Sequence, residues 1–285
     1  MNDIIVTSPV ERTVFFEGAF YTEGPVRDKL GRYYFTDLSG GRVWRMSPEG
    51  RSLKVWATST CPNGQAITRE GHHLICDSKE HVVKRFDAKG RLIRYEVNES
   101  CAGIPVHVPN DVIVDRSGGF YFTDSVREEG RVFYKSSAGN CHEVAQGYDY
   151  PNGLVLSTDE RYLFIAESYR NRILRITLDK PGRMGYWEVW CDLPQHPSGT
   201  TGTNLPDGLA MDGMGRLWVA HYGMGAVQVV GTDGKLLASV ATGLPLTSNV
   251  CLIDDITLLV TGGITEPGPG AVARINVRNI TEKIR

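Results

Sequence analysis

The chain has 285 residues, 41% of them apolar and 22% charged, a composition that excludes intrinsic disorder and is long enough to bury a core without disulfide staples. Its 31 basic and 33 acidic side chains leave a net charge of −2, which gives nucleic acid or a membrane surface no electrostatic footprint. No apolar run approaches the ~20 residues that span a bilayer, and Met1-Asn2-Asp3-Ile4-Ile5 shows no basic-then-apolar leader pattern.

In chain order, Ile4–Phe16 reads as a lone strand, and behind it six segments can be laid over one another. They are Thr22–Gly50, Pro62–Gly90, Pro109–Gly139, Pro151–Gly182, Pro206–Gly234 and Ser248–Asn276. Each opens on a short turn signal: TEG, PNG, PND, PNG, PDG and SNV in turn. An apolar stretch follows, then a turn such as Asp115-Arg-Ser-Gly118, then an aromatic and β-branched run: RYYFTD, HHLICD, GFYFTD, RYLFIAE, RLWVAH and TLLVTG. A further turn leads to a third alternating run such as GRVWRM or NRILRI. Short runs rich in Val, Ile, Tyr, Phe and Trp between Gly, Asp and Asn turns are strand signals, and no segment keeps a 3.6-residue apolar period for more than two turns.

The second residues of the six opening signals are Glu23, Asn63, Asn110, Asn152, Asp207 and Asn249, spaced 40, 47, 42, 55 and 42 residues apart. A period in the forties with three clear strands and a weaker fourth is the mark of a β-propeller. The expected fold is all-β: a single domain over residues 1–285, six-bladed, with the N-terminal strand completing the last blade and removing an exposed sheet edge. A β-sandwich would also show regularly spaced strands, but it gives no reason for a sixfold recurrence. The six cysteines, at 61, 76, 101, 141, 191 and 251, form no CxxC pair and no zinc-finger spacing. They read as free thiols of a cytoplasmic protein.

The first strand of each propeller blade lines the central channel, so the six aligned positions form a ring around one axis. One Asn before Gly is an ordinary turn residue. Glu23 has no turn preference, however, and two carboxylates converging with amide oxygens need a compensating cation or proton. Such a hard oxygen set of formal charge −2 suits one divalent ion, Ca²⁺ first. Blade one faces blade four, so Glu23 could reach toward Asn110, Asn152 and Asp207, leaving Asn63 and Asn249 to bind water or cap turns.

These motifs resemble the SMP-30/gluconolactonase/LRE-like family: T-E-G-P at 22–25, P-N-D at 109–111 before YFTD at 121–124, P-N-G at 151–153, and P-D-G-L-A at 206–210 before LWVA at 217–220. The likeness runs from about Gly18 to the last blade. It implies a six-bladed propeller with one divalent metal, most simply Ca²⁺ with Zn²⁺, Mn²⁺ or Fe²⁺ as alternatives. The ligands it implies are Glu23, Asn152 and Asp207, with Asn110 as a further ligand or substrate contact. The implied chemistry is hydrolysis of a lactone or, in relatives, a phosphotriester, with Asp207 as base and Glu23 as structural ligand. The gluconolactonase branch commonly carries an Arg two residues before the Asn-Asp pair; here that residue is Val108, beside His107, which favours a less polar lactone or ester over a standard aldonolactone.

The candidate substrate contacts are Asn110, Asp111, His107, Glu128 and His221. The second strands end at Asp37, Asp77, Asp124, Glu167 and His221; these groups either bond loops of neighbouring blades or orient metal ligands, and His221 could shuttle a proton. The Pro- and Gly-rich run 194–204 reads as a lid or rim, with Cys101–Val108 and Tyr21–Thr22 bordering the same pocket. No GxSxG elbow or Cys–His pairing suggests a nucleophilic triad. The expected partner is a small lactone or ester, with no nucleic acid or membrane, for a monomer or weak homo-oligomer. A propeller that serves as a binding platform, with a structural ion or none, is the alternative class.

Overall fold

Six antiparallel blades of four strands each follow one another along the chain in the computed structural model, which describes residues 5–7 and 11–284; pairing of Tyr222 with Leu246 joins blades five and six into one sheet. From the inner strand outward, blade one is Thr22–Arg27, Tyr33–Asp37, Arg42–Met46 and Leu53–Thr58. Blade two is Pro62–Ile67, His73–Asp77, Val82–Phe86 and Leu92–Asn98. Blade three is Pro109–Val114, Phe120–Asp124, Gly130–Lys135 and Cys141–Tyr148. Blade four is Pro151–Leu156, Tyr162–Glu167, Arg172–Lys180 and Arg183–Asp192. Blade five is Leu205–Met211, Leu217–Tyr222, Ala226–Val230 and Leu236–Ala241.

Blade six takes three strands from the C-terminal end, Leu246–Asp254, Thr257–Gly263 and Gly270–Asn276, and its outer strand, Arg12–Gly18, from the N-terminal end. The ring is therefore closed by pairing the two ends of the chain, as the repeat count requires. Ile5–Thr7 adds a short parallel strand to the outer edge of blade five. The fold is a six-bladed β-propeller. Helix is confined to single turns, and no helix among the described residues is long and apolar enough to cross a membrane.

The second strands explain why the repeat folds this way. YYFTD, HLICD and FYFTD are buried from end to end, because both faces of each blade are covered by neighbouring blades. Tyr121, Val132 and Tyr134 of blade three pack with Leu163, Ile165 and Leu174 of blade four in one such interlayer. Short hydroxyls also tie a blade to the next inner strand: Ser125 and Ser168, just past the second strands of blades three and four, donate through Oγ to Pro151 O (2.6 Å) and Pro206 O (2.7 Å), and Ser248 Oγ of blade six donates to Thr22 O (2.8 Å).

One expectation about the cysteines is corrected. Cys101 and Cys141 form a disulfide with Cα atoms 5.6 Å apart, while Cys61, Cys76, Cys191 and Cys251 are free. The pair lies 40 residues apart in sequence. It meets because Cys101 sits in a short hairpin, Ser100–Cys101 with Ile104–Pro105, that follows blade two, while Cys141 opens the outer strand of blade three. No local spacing announces that contact, and the inference of a reducing compartment loses the support of six free thiols.

Candidate functional site

The opening signals act through a bulge. Every inner strand breaks register with its neighbour where its turn signal sits: between Pro62 and Gln65, Pro109 and Val112, Pro151 and Leu154, Pro206 and Leu209, and comparably in blades one and six. A bulge leaves residues unpaired and re-aims their side chains, so Asn63, Asn110, Asn152 and Asp207 leave the ladder and turn toward the axis. Glycine follows the ring residue in four blades. At Gly153 an added Cβ would run into Asp207 O and Gly208 of the next inner strand, so only glycine lets the strands approach this closely around the axis.

The result is a cavity of about 230 Å³ at one end of the channel. Glu23, Asn63, Asn110, Asn152 and Asp207 line it together. Glu23 is 5% exposed and Asp207 8%, and no Lys, Arg or His side chain lines the space. Glu23 Oε2 accepts hydrogen bonds from Gly24 N (3.0 Å) and Asn249 Nδ2 (3.3 Å). Asn152 Nδ2 donates to Ser168 Oγ (3.3 Å), yet the buried Oδ1 atoms of Asn152 and Asn63 have no partner. Burial pushes the proton affinity of Glu23 upward; for Asp207 burial acts first, and the charges of Glu23 and Asp111 add to it.

This donor set fits a hard cation. It is oxygen-only, carries two buried carboxylates without a protein counter-charge, and includes an amide oxygen left unsatisfied at the cavity wall. No group of three or more His, Cys, Asp or Glu side chains gathers among the described residues, so a cation would have to be held by this mixed carboxylate–amide ring.

Several expected contacts lie elsewhere. Asn249, the sixth aligned residue, lines a second cavity of about 380 Å³ formed by the later residues of the inner strands, not the first. Asn249 pairs opposite Thr261, as Glu23 pairs opposite Thr36, and its shorter side chain bonds Glu23 Oε2 while lining the second cavity. Asp111 also lines the second cavity, with its carboxyl pushed up to about 7 by burial.

His107 is exposed, and its backbone N–H donates to Asp124 Oδ1 (3.0 Å). Glu128 is exposed on the turn after blade three's second strand, where its backbone N–H donates to Asp149 Oδ1 (3.2 Å). Neither lines the cavity. His221 is fully buried beside Gln228 (3.3 Å), away from the cavity lining; burial holds its imidazole down at about 3, so it stays neutral at ordinary pH.

The acids at the second-strand ends mostly clamp loops. Asp77 Oδ2 accepts from Thr60 N (2.8 Å), Asp124 Oδ1 from Val108 N (2.5 Å) and Glu167 Oε1 from Asp149 N (2.8 Å). In each case the bonded N–H lies just before the inner strand of the same blade, so the acid fixes where that strand starts. The run 194–204 folds on itself through Asn204, whose Nδ2 donates to Thr200 O (3.2 Å); none of its described residues lines the cavity, and the next residue, Leu205, does.

The walls hold residues that the aligned ring did not reveal: Leu38, Tyr150, Ser168, Tyr169, Tyr222 and Glu266, with Tyr21. Leu38 and Ser168 stand one residue beyond a second-strand end and Tyr222 is the last residue of blade five's second strand; each follows one of the aligned positions Asp37, Glu167 and His221, an offset available in the repeat alignment. Tyr21 and Tyr222 meet edge to face with centroids 6.2 Å apart, and Tyr150 and Tyr169 do so at 5.5 Å.

A family model described as the SMP-30/Gluconolactonase/LRE-like region matches residues 21–263. Lactonase drp35 of Staphylococcus aureus (strain USA300) is 28% identical over 225 residues, covering 74% of this chain and 67% of that protein. Among solved structures, a gluconolactonase from Xanthomonas campestris superposes with a TM-score of 0.80 at 24% identity, over 95% of this chain and 90% of that one. The calcium-binding protein regucalcin of Agrobacterium tumefaciens superposes with a TM-score of 0.78 at 21% identity, over 96% and 97% of the two chains.

Proposed function

Because this chain belongs to the SMP-30/gluconolactonase/LRE-like family, we propose that it is a metal-dependent hydrolase that opens a lactone, or a less polar ester, with water. The observation that carries the reading is the pair of buried carboxylates, Glu23 and Asp207, in a cavity without a basic side chain. The similarity to a lactonase over three quarters of the chain supports the reaction class. Glu23, Asn152 and Asp207 would hold the ion, with Asn110 as fourth ligand or substrate contact; Ca²⁺ is preferred, and Mn²⁺, Zn²⁺ and Fe²⁺ compete.

A bound divalent cation would supply a Lewis acid for the carbonyl and lower the pKa of water. The protein's own contributions are distinct. Asp207 accepts the proton of the attacking water: its carboxylate sits in a desolvated wall beside a second acid, and both effects raise its basicity in the direction a general base needs. Glu23 is held by Gly24 N and Asn249 Nδ2 and serves as a fixed ligand. Asn152 is oriented by Ser168, which itself bonds Pro206 O next to Asp207, so the two ligands are set by one hydroxyl. Tyr21 and Tyr150 exclude water from the inner wall.

The test is a pH-indicator assay over lactones, esters and phosphotriesters, with protein stripped of metal and refilled with Ca²⁺, Mn²⁺, Zn²⁺ or Fe²⁺. Metal-loaded Asp207→Asn should lose at least ~10²-fold in turnover, while Asn110→Ala should act on KM or on metal occupancy. Full activity in the stripped protein would end the metal-dependent reading. Near-normal turnover of loaded Asp207→Asn would remove Asp207 from the chemistry.

A further inference from the structure

The outer wall of the same cavity has a composition that the metal ring does not explain. Four tyrosines, Tyr21, Tyr150, Tyr169 and Tyr222, stand around it, and a third carboxylate, Glu266, sits at its rim. Glu23 and Asp207 match the two charges of a divalent ion. Glu266 then remains as an uncompensated negative charge in a cavity lined by no Lys, Arg or His.

Glu266 is held in place. It lies in the connection between the second and third strands of blade six, and that connection is tied down where Tyr21 N donates to Pro267 O (2.8 Å) and Ile264 N to Pro269 O (3.0 Å). Glu266 lines the cavity with both tyrosine pairs; burial raises the proton affinity of Tyr222, Tyr21 and Tyr150, and the charge of Glu266 adds to it. One of these rings already takes a cation. The Arg127 guanidinium stacks 3.6 Å from the Tyr169 centroid, anchored by Asp149 (2.6 Å) and outside the cavity lining. Aromatic faces with a carboxylate at their edge are the arrangement that binds an ammonium group, and Glu266 and Tyr169 are exposed, so such a group can reach them from solvent.

We propose that the cavity selects substrates by charge, with Glu266 and the four tyrosines forming a subsite for a cationic ammonium substituent on the lactone and disfavouring anionic ones. The inference rests on the hydrolase reading for the word lactone, but the ammonium subsite is independent of turnover. The group would sit with its positive charge against the ring faces and the Glu266 carboxylate, and the lactone carbonyl toward Asn110 and Asp207. No covalent step is added to the hydrolysis.

The experiment uses three γ-butyrolactones that differ only at the α-position: trimethylammonio, tert-butyl, and carboxylate. The first two share a shape and differ in charge. With each kcat/KM divided by that lactone's own rate of hydroxide-catalysed hydrolysis, which removes the inductive effect of the α-substituent, the metal-loaded protein should favour trimethylammonio over tert-butyl by about tenfold and disfavour the carboxylate by a similar factor. Glu266→Gln should bring the trimethylammonio to tert-butyl ratio within about threefold of unity.

A second readout needs no catalysis: tetramethylammonium binding followed by NMR line broadening, with tert-butanol as the neutral control, in wild type and Glu266→Gln. Hydrolysis of all three lactones without charge preference overturns this inference and leaves the hydrolase reading intact. Absence of hydrolysis together with Glu266-dependent tetramethylammonium binding does the reverse. Equal binding of tetramethylammonium and tert-butanol overturns the subsite.

Discussion

Replacing Asp207 by Asn should make the metal-free protein more stable and the metal-loaded protein less so. Asp207 and Glu23 are 8% and 5% exposed, share a cavity with no basic side chain, and are compensated only by amide donors. A buried carboxylate costs several kcal/mol in desolvation even after relaxation, and a hydrogen bond to a charged group returns only about 1.5–3 kcal/mol. Asn keeps the shape and one oxygen and removes the charge, so the stripped variant should gain about 2 kcal/mol, roughly 4 °C in Tm for a chain of this size.

A bound ion should reverse the order. At a hundred times its Kd it would stabilise wild type by about 2.7 kcal/mol, or ~5 °C, through mass action, whereas a variant lacking a charged ligand should gain much less. Both carboxyls have folded proton affinities raised above those of the unfolded chain. Their stability contribution is therefore whole below an unfolded pKa of ~4 and is lost as pH rises, so the advantage of the stripped variant should shrink at pH 5. Differential scanning calorimetry at pH 7.5 and pH 5, with chelator and then with graded CaCl₂, reads all of this. A stripped Asp207→Asn that melts below stripped wild type, or that keeps the full calcium shift, would refute the reasoning.

His73 should add an acid liability of opposite sign. It is buried between Trp56 (4.3 Å) and Tyr34 (4.5 Å), with Nδ1 on Gln65 Oε1 (3.0 Å), and burial lowers its imidazole to about 3. The unfolded chain takes up a proton near pH 6.5 that the folded one refuses, so stability is whole above that pH and falls below it. Urea titrations should show wild type losing about 2 kcal/mol more than His73→Asn between pH 7 and 5; equal losses would count against the neutral buried imidazole. Gly153→Ala should cost about 1–3 kcal/mol, because the new methyl meets the backbone at Asp207 and must push two inner strands apart. The same displacement should weaken metal affinity more than the distant Gly71→Ala, where nothing lies within 4 Å of the added carbon; isothermal titration of both variants would decide this.

The sequence by itself determined the architecture and most of the inner ring. Each blade is specified by a local pattern repeated six times, and strand alternation and turn chemistry act over a few residues. Five of the six aligned ring positions line the cavity, and for four of them, Asn63, Asn110, Asn152 and Asp207, the bulge that aims the side chain is built into the opening signal of the repeat. The exception is instructive. Asn249 occupies the aligned place and is paired as Glu23 is, yet the longer Glu23 reaches the cavity while the Asn249 amide bonds Glu23 Oε2 and lines the second cavity.

Tertiary structure alone decided the cavity's outer wall and the disulfide. Tyr150, Tyr169 and Glu266 come from connections of different length and Tyr222 from the end of blade five's second strand, and they converge only because the ring closes. Cys101 and Cys141 likewise meet between the edges of two blades. His107 and Glu128 are near the site in sequence yet point to solvent, since the side chains flanking a strand end are placed by the clamps that hold the loop, such as Asp124 on Val108 N, and not by distance along the chain. Local periodicity can therefore specify which strands exist and which residues face the axis, while the contents of the mouth depend on how six unequal loops pack against one another.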